Sequence, residues 1–224
     1  MRPTALIADM AGTTVSDGGI VLAAFGDALD ALGIPEGHDE RLSSITYVVD
    51  TMGRSKIEVF TELFGSHRAH DANVAFEAAY NRRLATDGAA PIPGVAWLLE
   101  ELPRRGVKVA LTTGFSPTTR QALLEALGWE GLISVAVSPA DAGRGRPHPD
   151  MIFEAARRLE CFDLSQVIVA GDTASDMEAG VAAGAGMVIG VLTGTDDEAR
   201  LTEAGATHVL TSLTALPGLL DVSG

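Results

Sequence analysis

The sequence predicts an α/β fold, with a three-layer, Rossmann-like parallel sheet core and a helical cap domain inserted after the first strand. Three observations predict it. A short apolar strand at residues 5–8 ends in polar residues and glycine. Only helical patterns follow, over residues 17–89. From residue 95 onward helices and apolar strands alternate, which is typical of a parallel sheet covered on both faces.

The inserted region has four helical patterns, at residues 21–32, 41–49, 55–63 and 72–84. Pro91-Ile92-Pro93-Gly94 then interrupts the chain, as proline and glycine do in loops. We therefore expect a core domain formed by residues 1–16 and 90–224, and a cap domain formed by residues 17–89.

The second half of the chain supplies the remaining elements. Helices are predicted at 95–104, 117–127, 149–159 and 175–183, and strands at 107–111, 132–137, 167–170, 187–191 and 208–210. Ligands of open α/β sheets bind beyond the carboxyl ends of the strands. The residues that follow each strand are therefore the candidates for a functional site.

Composition excludes several classes of protein. The 224 residues carry a net charge of −14, which argues against non-specific nucleic-acid binding. No apolar run is long enough to cross a membrane, and the N-terminus lacks the apolar stretch of a signal peptide. Cys161 is the one cysteine, which excludes an intrachain disulfide and favours a cytoplasmic location. Only two of the 16 basic residues are lysine, Lys56 and Lys108.

The candidate residues at the strand ends have a consistent chemistry. They are Asp9, Ala11, Gly12, Thr13, Thr113, Gly114, Arg146, Asp172 and Asp176. Carboxylates suit a hard cation such as Mg²⁺, while amides, hydroxyls and a guanidinium suit phosphoryl oxygens. The chain lacks both the P-loop pattern and the GxGxxG dinucleotide pattern. Arg144 is the rival of Arg146 for the phosphate-binding position.

Four motifs in order resemble those of the haloacid dehalogenase superfamily: Asp9-Met10-Ala11-Gly12-Thr13, Thr113-Gly114, Arg146-Pro147 and Gly171-Asp172-Thr173-Ala174-Ser175-Asp176. The resemblance implies that Asp9 attacks the substrate and forms an aspartyl intermediate. It also implies that Asp9, the backbone carbonyl of Ala11 and Asp172 hold Mg²⁺, and that Asp176 does so directly or through a neighbour.

Two departures favour one branch of that superfamily. Its phosphatases carry an aspartate that protonates the leaving alkoxide, and Ala11 stands at that position. Losing such an acid lowers a rate by about 10²–10⁴. Arg146 stands where a lysine is usual. Both features are similar to phosphonoacetaldehyde hydrolase (phosphonatase), whose Schiff-base lysine resembles Lys56 in Met52-Gly53-Arg54-Ser55-Lys56-Ile57.

This resemblance implies cleavage of the C–P bond of phosphonoacetaldehyde or a related 2-oxoalkylphosphonate. A departing carbanion needs an electron sink, which an iminium formed by Lys56 provides. Ser55 and Glu58 fit a capping box, which would place Lys56 in the first turn of a helix. The helix dipole and Arg54 would then favour the neutral amine. The substrate would contact Gly12, Thr13, Met52, Thr113, Gly114 and Arg146.

Several alternatives stay open. Val59 stands where phosphonatase has a histidine, which indicates a different cap pocket or proton route. The main rival function is hydrolysis of a small phosphate monoester, as in a phosphoglycolate phosphatase, with Lys56 only binding an anion. Met52 is either a cap-side wall of the site or core filler, and His67, His70 and His148 are interpreted as surface residues. The resemblance also implies a possible homodimer through the cap.

Overall fold

Six parallel strands form the central sheet in the computed structural model, which describes residues 3–222. In chain order the strands are β1 (Ala5–Asp9), β2 (Val15–Ser16), β3 (Ala90–Pro91), β4 (Lys108–Thr112), β5 (Ala136–Val137), β6 (Val167–Gly171), β7 (Met187–Val191) and β8 (His208–Leu210). The order in the large sheet is β5-β4-β1-β6-β7-β8. Its central strand β1 pairs with β4 and β6, so the ends of these three strands meet at one edge.

Helices cover both faces of the sheet and fill the insertion. They are α1 (Ile20–Ala31), α2 (Asp39–Asp50), α3 (Lys56–Asp87), α4 (Val95–Arg104), α5 (Pro117–Leu127), α6 (Pro139–Ala142), α7 (Asp150–Arg158), α8 (Ala174–Ala183), α9 (Glu198–Glu203) and α10 (Leu216–Val222). Strands β1, β6 and β7 are buried along their whole length, as continuous apolar runs require. The predicted α/β fold class is confirmed.

The insertion between β2 and β3 is wholly helical and packs around an aromatic cluster. Phe25 of α1 contacts Phe60 and Phe76 of α3, with ring centroids 5.0 and 4.5 Å apart. The predicted break between the helices at 55–63 and 72–84 is confirmed at Gly65, whose non-helical backbone (φ 72°, ψ 162°) divides α3 into two helical segments, although the second segment begins before residue 72. The two strands β2 and β3 pair antiparallel, so the insertion leaves and rejoins the core at one place.

Other boundaries also differ from those predicted. The strand predicted at 132–137 is reduced to β5, because only its last two residues pair with β4. Helices α6 and α10 are short and were not predicted from the pattern. No helix within residues 3–222 is both long and apolar enough to span a bilayer. These differences leave the carboxyl ends of β1, β4 and β6 where the motifs predict them.

The buried strands make a direct prediction about stability. Leu111 of β4 is fully buried, so we expect Leu111→Ala to lower the free energy of unfolding by about 2–5 kcal/mol. Leu42 is 74% exposed, and Leu42→Ala is expected to change it by less than about 0.5 kcal/mol. Urea unfolding followed by circular dichroism measures both. Equal effects of the two substitutions would contradict the described packing.

Candidate active site

Three buried carboxylates meet at the carboxyl edge of the sheet. Asp9 ends β1, Asp172 directly follows β6, and Asp176 lies in the first turn of α8. One oxygen from each lies within 4.8 Å of the other two. The sequence prediction that parallel strand ends bring these residues together agrees with this geometry. Hard oxygen donors at this spacing are a chemically suitable set for a divalent cation such as Mg²⁺.

Arg146 is the cation that contacts this cluster directly. Its guanidinium is buried, with Nη2 2.7 Å from Asp9 Oδ1 and Nη1 hydrogen-bonded to Asp176 Oδ1. Its Nε has no partner among the described residues. Arg144, its sequence rival, is exposed and pairs with Asp150 at 2.9 Å. The structure therefore assigns Arg146 and not Arg144 to the site.

Burial disfavours the charged forms of the carboxylates at this edge. It raises the pKa of Asp9 to about 7, although Arg146 acts in the opposite direction. It also raises the pKa of Asp172 to about 8, and repulsion from Asp9 adds to the effect. A divalent cation among the three oxygens would remove much of this repulsion. The donor set and its charge thus fit the metal that the motifs imply.

Asp172 is held in place by backbone and hydroxyl donors. Thr13 Oγ1 donates to its Oδ1 at 2.9 Å, and the backbone N–H of Thr195 donates to its Oδ2 at 2.9 Å. Gly12 has a φ of 83°, and a Cβ there would lie 2.5 Å from Asp172 Oδ2. Only glycine therefore fits that position. The hydroxyl of Thr13 donates to Asp172, and a contact of Thr13 with substrate stays a prediction.

Asp176 is held at both of its oxygens. Its Oδ2 accepts from the hydroxyl of Thr173 at 2.5 Å and from the Thr173 backbone N–H at 3.2 Å, which forms the capping box of α8. Its Oδ1 accepts from Arg146. In this arrangement Asp176 orients Arg146 while remaining within the carboxylate cluster.

Lys56 is buried beside the cluster, which is unusual for a lysine. Its Nζ lies 3.9 Å from Met52 Sδ and 5.6 Å from the centroid of the Phe25 ring. Burial lowers the pKa of the Lys56 amine to about 8, and the positive charge of Arg146 acts in the same direction. Asp9 partly offsets that effect. Lys56 is thus ready to lose its proton near neutral pH.

Lys56 is the first residue of α3, as the sequence predicts, but the predicted capping box is not formed. Ser55 is the N-cap residue and its hydroxyl makes no capping hydrogen bond. Its side chain packs instead against the core loop, where a Cβ at Gly145 would lie 2.7 Å from Ser55 Cβ. The sequence therefore matches the capping-box pattern, but the capping hydrogen bond of Ser55 is not made.

A cavity of about 40 Å³ lies between the carboxylates of Asp9 and Asp172, the guanidinium of Arg146 and the amine of Lys56. Its lining residues are Asp9, Ala11, Val21, Met52, Gly53, Lys56, Thr113, Gly114, Phe115, Arg146, Asp172 and Thr173. Met52 is therefore a wall of the site as well as a partner of the core. Thr113 faces the cavity, whereas Thr112 belongs to β4 and does not line it.

The segment before α3 closes the cavity against the core. A Cβ at Gly53 would collide with the hydroxyl of Thr173, and one at Gly114 would lie 2.7 Å from the carbonyl oxygen of Arg54. The backbone of the insertion thus touches two core loops at once. A substrate in this cavity would be enclosed by both parts of the chain.

Residues 3–184 match the family model described as haloacid dehalogenase-like hydrolase. The chain belongs to this family. The family, together with the strand-end carboxylates, identifies the protein as a hydrolase of the haloacid dehalogenase superfamily.

A curated relative and two solved structures are similar to this hydrolase over most of its length. It is similar to a phosphonoacetaldehyde hydrolase of Bacillus cereus, with 30% identity over 91% of this chain and 80% of the relative. A solved hydrolase from Pseudomonas syringae matches with a TM-score of 0.85 and 26% identity, over 98% of this chain and 99% of that one. A phosphonoacetaldehyde hydrolase-like protein from Oleispira antarctica matches in fold, with a TM-score of 0.82 and 24% identity, over 99% and 92% of the two chains.

The sequence did not single out three residues of the hydrolase site. Thr195 holds Asp172 through its backbone, Thr173 holds Asp176, and Phe115 lines the cavity. Thr173 lies within the fourth motif but was given no role of its own, and Phe115 directly follows Thr113-Gly114, so both positions were available signals. Thr195 follows the fifth strand of the sheet, and no residue-type pattern marks it. His67, His70 and His148 are exposed and lie outside the carboxylate cluster, as expected.

The carboxylate cluster predicts stabilisation by metal. Mg²⁺ at about 100 times its dissociation constant is expected to stabilise the protein by about 2.7 kcal/mol and so raise the Tm. Asp172→Asn should abolish this rise, while Asp71→Asn on the exposed face of α3 should preserve it. Differential scanning fluorimetry in EDTA and in MgCl₂ measures the shift. An unchanged shift in Asp172→Asn would mean that the metal binds elsewhere.

Proposed function

We propose that this hydrolase cleaves the C–P bond of phosphonoacetaldehyde or a related 2-oxoalkylphosphonate, using Mg²⁺, a Schiff base at Lys56 and an aspartyl-phosphate at Asp9. The observation that carries the proposal is the shared cavity: a buried lysine with a lowered pKa lines the same small space as Asp9 and Arg146. Hydrolysis of a simple phosphate ester would need no such amine.

The two ends of the substrate would meet different residues. The phosphonate would lie against Arg146, Thr113 and the backbone near Gly114 and Gly12, which line this cavity or the one beside it, because a guanidinium and a hydroxyl suit phosphoryl oxygens. When held by Asp9, Asp172 and the carbonyl of Ala11, Mg²⁺ would supply positive charge to the phosphoryl oxygens. The carbonyl end would lie toward Lys56 and Met52. One substrate thus spans the core and the insertion.

The reaction starts at Lys56. Its neutral amine adds to the substrate carbonyl, and loss of water with uptake of one proton from solvent gives a protonated imine. A carboxylate oxygen of Asp9 then attacks phosphorus, and the electron pair of the breaking C–P bond moves through carbon to the iminium nitrogen. The carbon fragment leaves as an enamine on Lys56. Water cleaves the aspartyl-phosphate to release phosphate, and protonation and hydrolysis of the enamine release an aldehyde or ketone.

Ala11 is consistent with this chemistry. A phosphate ester releases an alkoxide, which needs a proton from a positioned acid. The enamine needs no proton at the phosphorus side of the site, so a methyl group can occupy this cavity wall. Arg146 serves the same step, because its contact with Asp9 orients the attacking carboxylate.

Apolar side chains surround the amine of Lys56. Val59, one turn along α3, is 1% exposed within the apolar core and presents no polar group to the cavity. Met52 and Phe25 flank the amine instead. We therefore propose that proton transfers near Lys56 use water admitted to the cavity and no side chain at position 59.

We further propose that residues 17–89 act as a cap domain over a core formed by residues 1–16 and 90–224. The chain passes between the two parts at the paired strands β2 and β3. This suits such a division, because so few backbone connections leave the two parts free to move relative to each other. Opening would admit the substrate, and closing would bring Lys56 to Asp9.

Trapping with borohydride tests the Schiff base. Phosphonoacetaldehyde plus sodium borohydride is expected to convert Lys56 to a secondary amine, detected by intact-mass and peptide mass spectrometry. Lys108 is the built-in control, since it is the only other lysine and lies on β4. Lys56→Arg should leave the protein unmodified, and Asp9→Asn should accumulate the adduct that still carries phosphonate. Modification of neither lysine in the wild type would refute the proposal.

The lowered pKa of Lys56 gives a pH profile for imine formation. Only the neutral amine reacts, so a pKa of about 8 predicts a rate that rises about tenfold from pH 7 to pH 9 and then levels off. Borohydride-quenched time courses at each pH measure it. An amine with an ordinary pKa near 10.5 would instead keep gaining about tenfold per pH unit to pH 9.5. That outcome would show that burial does not tune Lys56.

A further inference from the structure

Glu77 of α3 binds the beginning of helix α5, across the boundary between insertion and core. Its Oε1 accepts from the backbone N–H of Ser116 at 3.1 Å. Its Oε2 accepts from the hydroxyl of Thr119 at 3.1 Å and from the hydroxyl of Ser116. Ser116 is the N-cap residue of α5, so a carboxylate sits at the positive end of that helix.

The residues fastened in this way continue into the candidate active site. Thr113, Gly114 and Phe115 line the cavity and directly precede Ser116. The backbone N–H of Phe115 also donates to Thr113 Oγ1 at 3.3 Å. Holding Ser116 therefore holds the loop that we assign to the phosphonate.

Three neighbouring rings, those of Phe115, Phe76 and Phe25, connect the same loop to the amine of Lys56, and we call them the aromatic row. Phe115 stacks on Phe76 with centroids 6.2 Å apart, and Phe76 contacts Phe25 at 4.5 Å. The amine of Lys56 lies 5.6 Å from the centroid of that Phe25 ring. Phe76 is the neighbour of Glu77 in α3, so the carboxylate and the aromatic row fasten the same turn of helix.

Because of the kink at Gly65, the backbone of α3 alone does not fix the position of Glu77 relative to Lys56. Gly65 has φ 72° and ψ 162°, which breaks the helix between the turn that carries Lys56 and the turn that carries Glu77. A continuous helix would fix their separation by itself. Across this kink, their relative position depends on contacts outside the helix backbone: the Glu77 bonds and the aromatic row, together with the backbone N–H of Lys56, which donates to the carbonyl of Gly114 at 3.5 Å.

We propose that Glu77 is a positioning residue that sets the distance between Lys56 and the Thr113–Gly114 loop. This inference rests on the proposed function, in which one substrate must meet both groups at once. The plainer alternative is that Glu77 only caps α5 and contributes stability. The two readings differ in kinetics, because a misplacement of about 1 Å lowers a rate on the order of 10²-fold, whereas a cap affects the folded fraction alone.

The test compares Glu77→Ala, Glu77→Gln and the control Asp71→Ala, an exposed acid on the same helix. Phosphate release from phosphonoacetaldehyde gives kcat and KM, borohydride quenching gives the rate of imine formation, and circular dichroism gives the Tm. All kinetics are run well below the lowest Tm. We expect Glu77→Ala to lower kcat on the order of 10²-fold and to slow trapping at Lys56. Glu77→Gln should recover most of both, since its amide oxygen can still accept from Ser116.

A lower Tm in Glu77→Ala with kcat and trapping rate at wild-type values would overturn the inference and leave a simple helix cap. If Glu77→Ala does not fold, Thr119→Val decides, because it removes one donor at similar volume and should lower kcat by several-fold. A wild-type kcat in folded Thr119→Val would then overturn the inference. Failure of the proposed function is separate, because it would appear as absence of trapping in the wild-type protein.

Discussion

The contact between Arg146 and two buried aspartates is the interaction on which the site depends. Asp9 and Asp176 come from different parts of the chain, and the guanidinium binds both. Removing Arg146 would leave buried carboxylates facing one another, which is strongly unfavourable. The parallel sheet makes the contact possible by bringing the ends of β1 and β6 side by side. The excess negative charge that remains is what a divalent cation would neutralise.

Burial in the same site explains the lowered pKa of Lys56. Burial and Arg146 lower its pKa, while Asp9 and Asp172 raise it, and burial is the largest effect. A lysine in such a position is costly for stability unless the amine is neutral or is used in chemistry. The insertion holds it there through Met52 and Phe25 and through direct backbone contacts with the core. The packing of the insertion against the core therefore both encloses the cavity and lowers the pKa of the Lys56 amine.

The sequence predicted much of this arrangement because the relevant residues follow strands in fixed order. Parallel strands bring their ends together whatever the loops do, so Asp9, Asp172 and Asp176 could be placed in one cluster. Details that depend on packing could not be read. Ser55 matches a capping pattern, yet its hydroxyl makes no capping hydrogen bond and its Cβ packs against Gly145, and Thr13 hydrogen-bonds Asp172. The break at Gly65 was predicted, because a glycine follows the apolar helical pattern, but the start of the next helical segment was not.

We propose that the bond broken in this site is a C–P bond and not a phosphate ester. The most direct measurement is phosphate release from phosphonoacetaldehyde and from phosphoglycolate, with and without Mg²⁺, by wild type and by Lys56→Arg. The account predicts Mg²⁺-dependent release from the phosphonate that Lys56→Arg abolishes, with far slower release from the ester. Rapid hydrolysis of phosphoglycolate that survives in Lys56→Arg, with the phosphonate left intact, would contradict it.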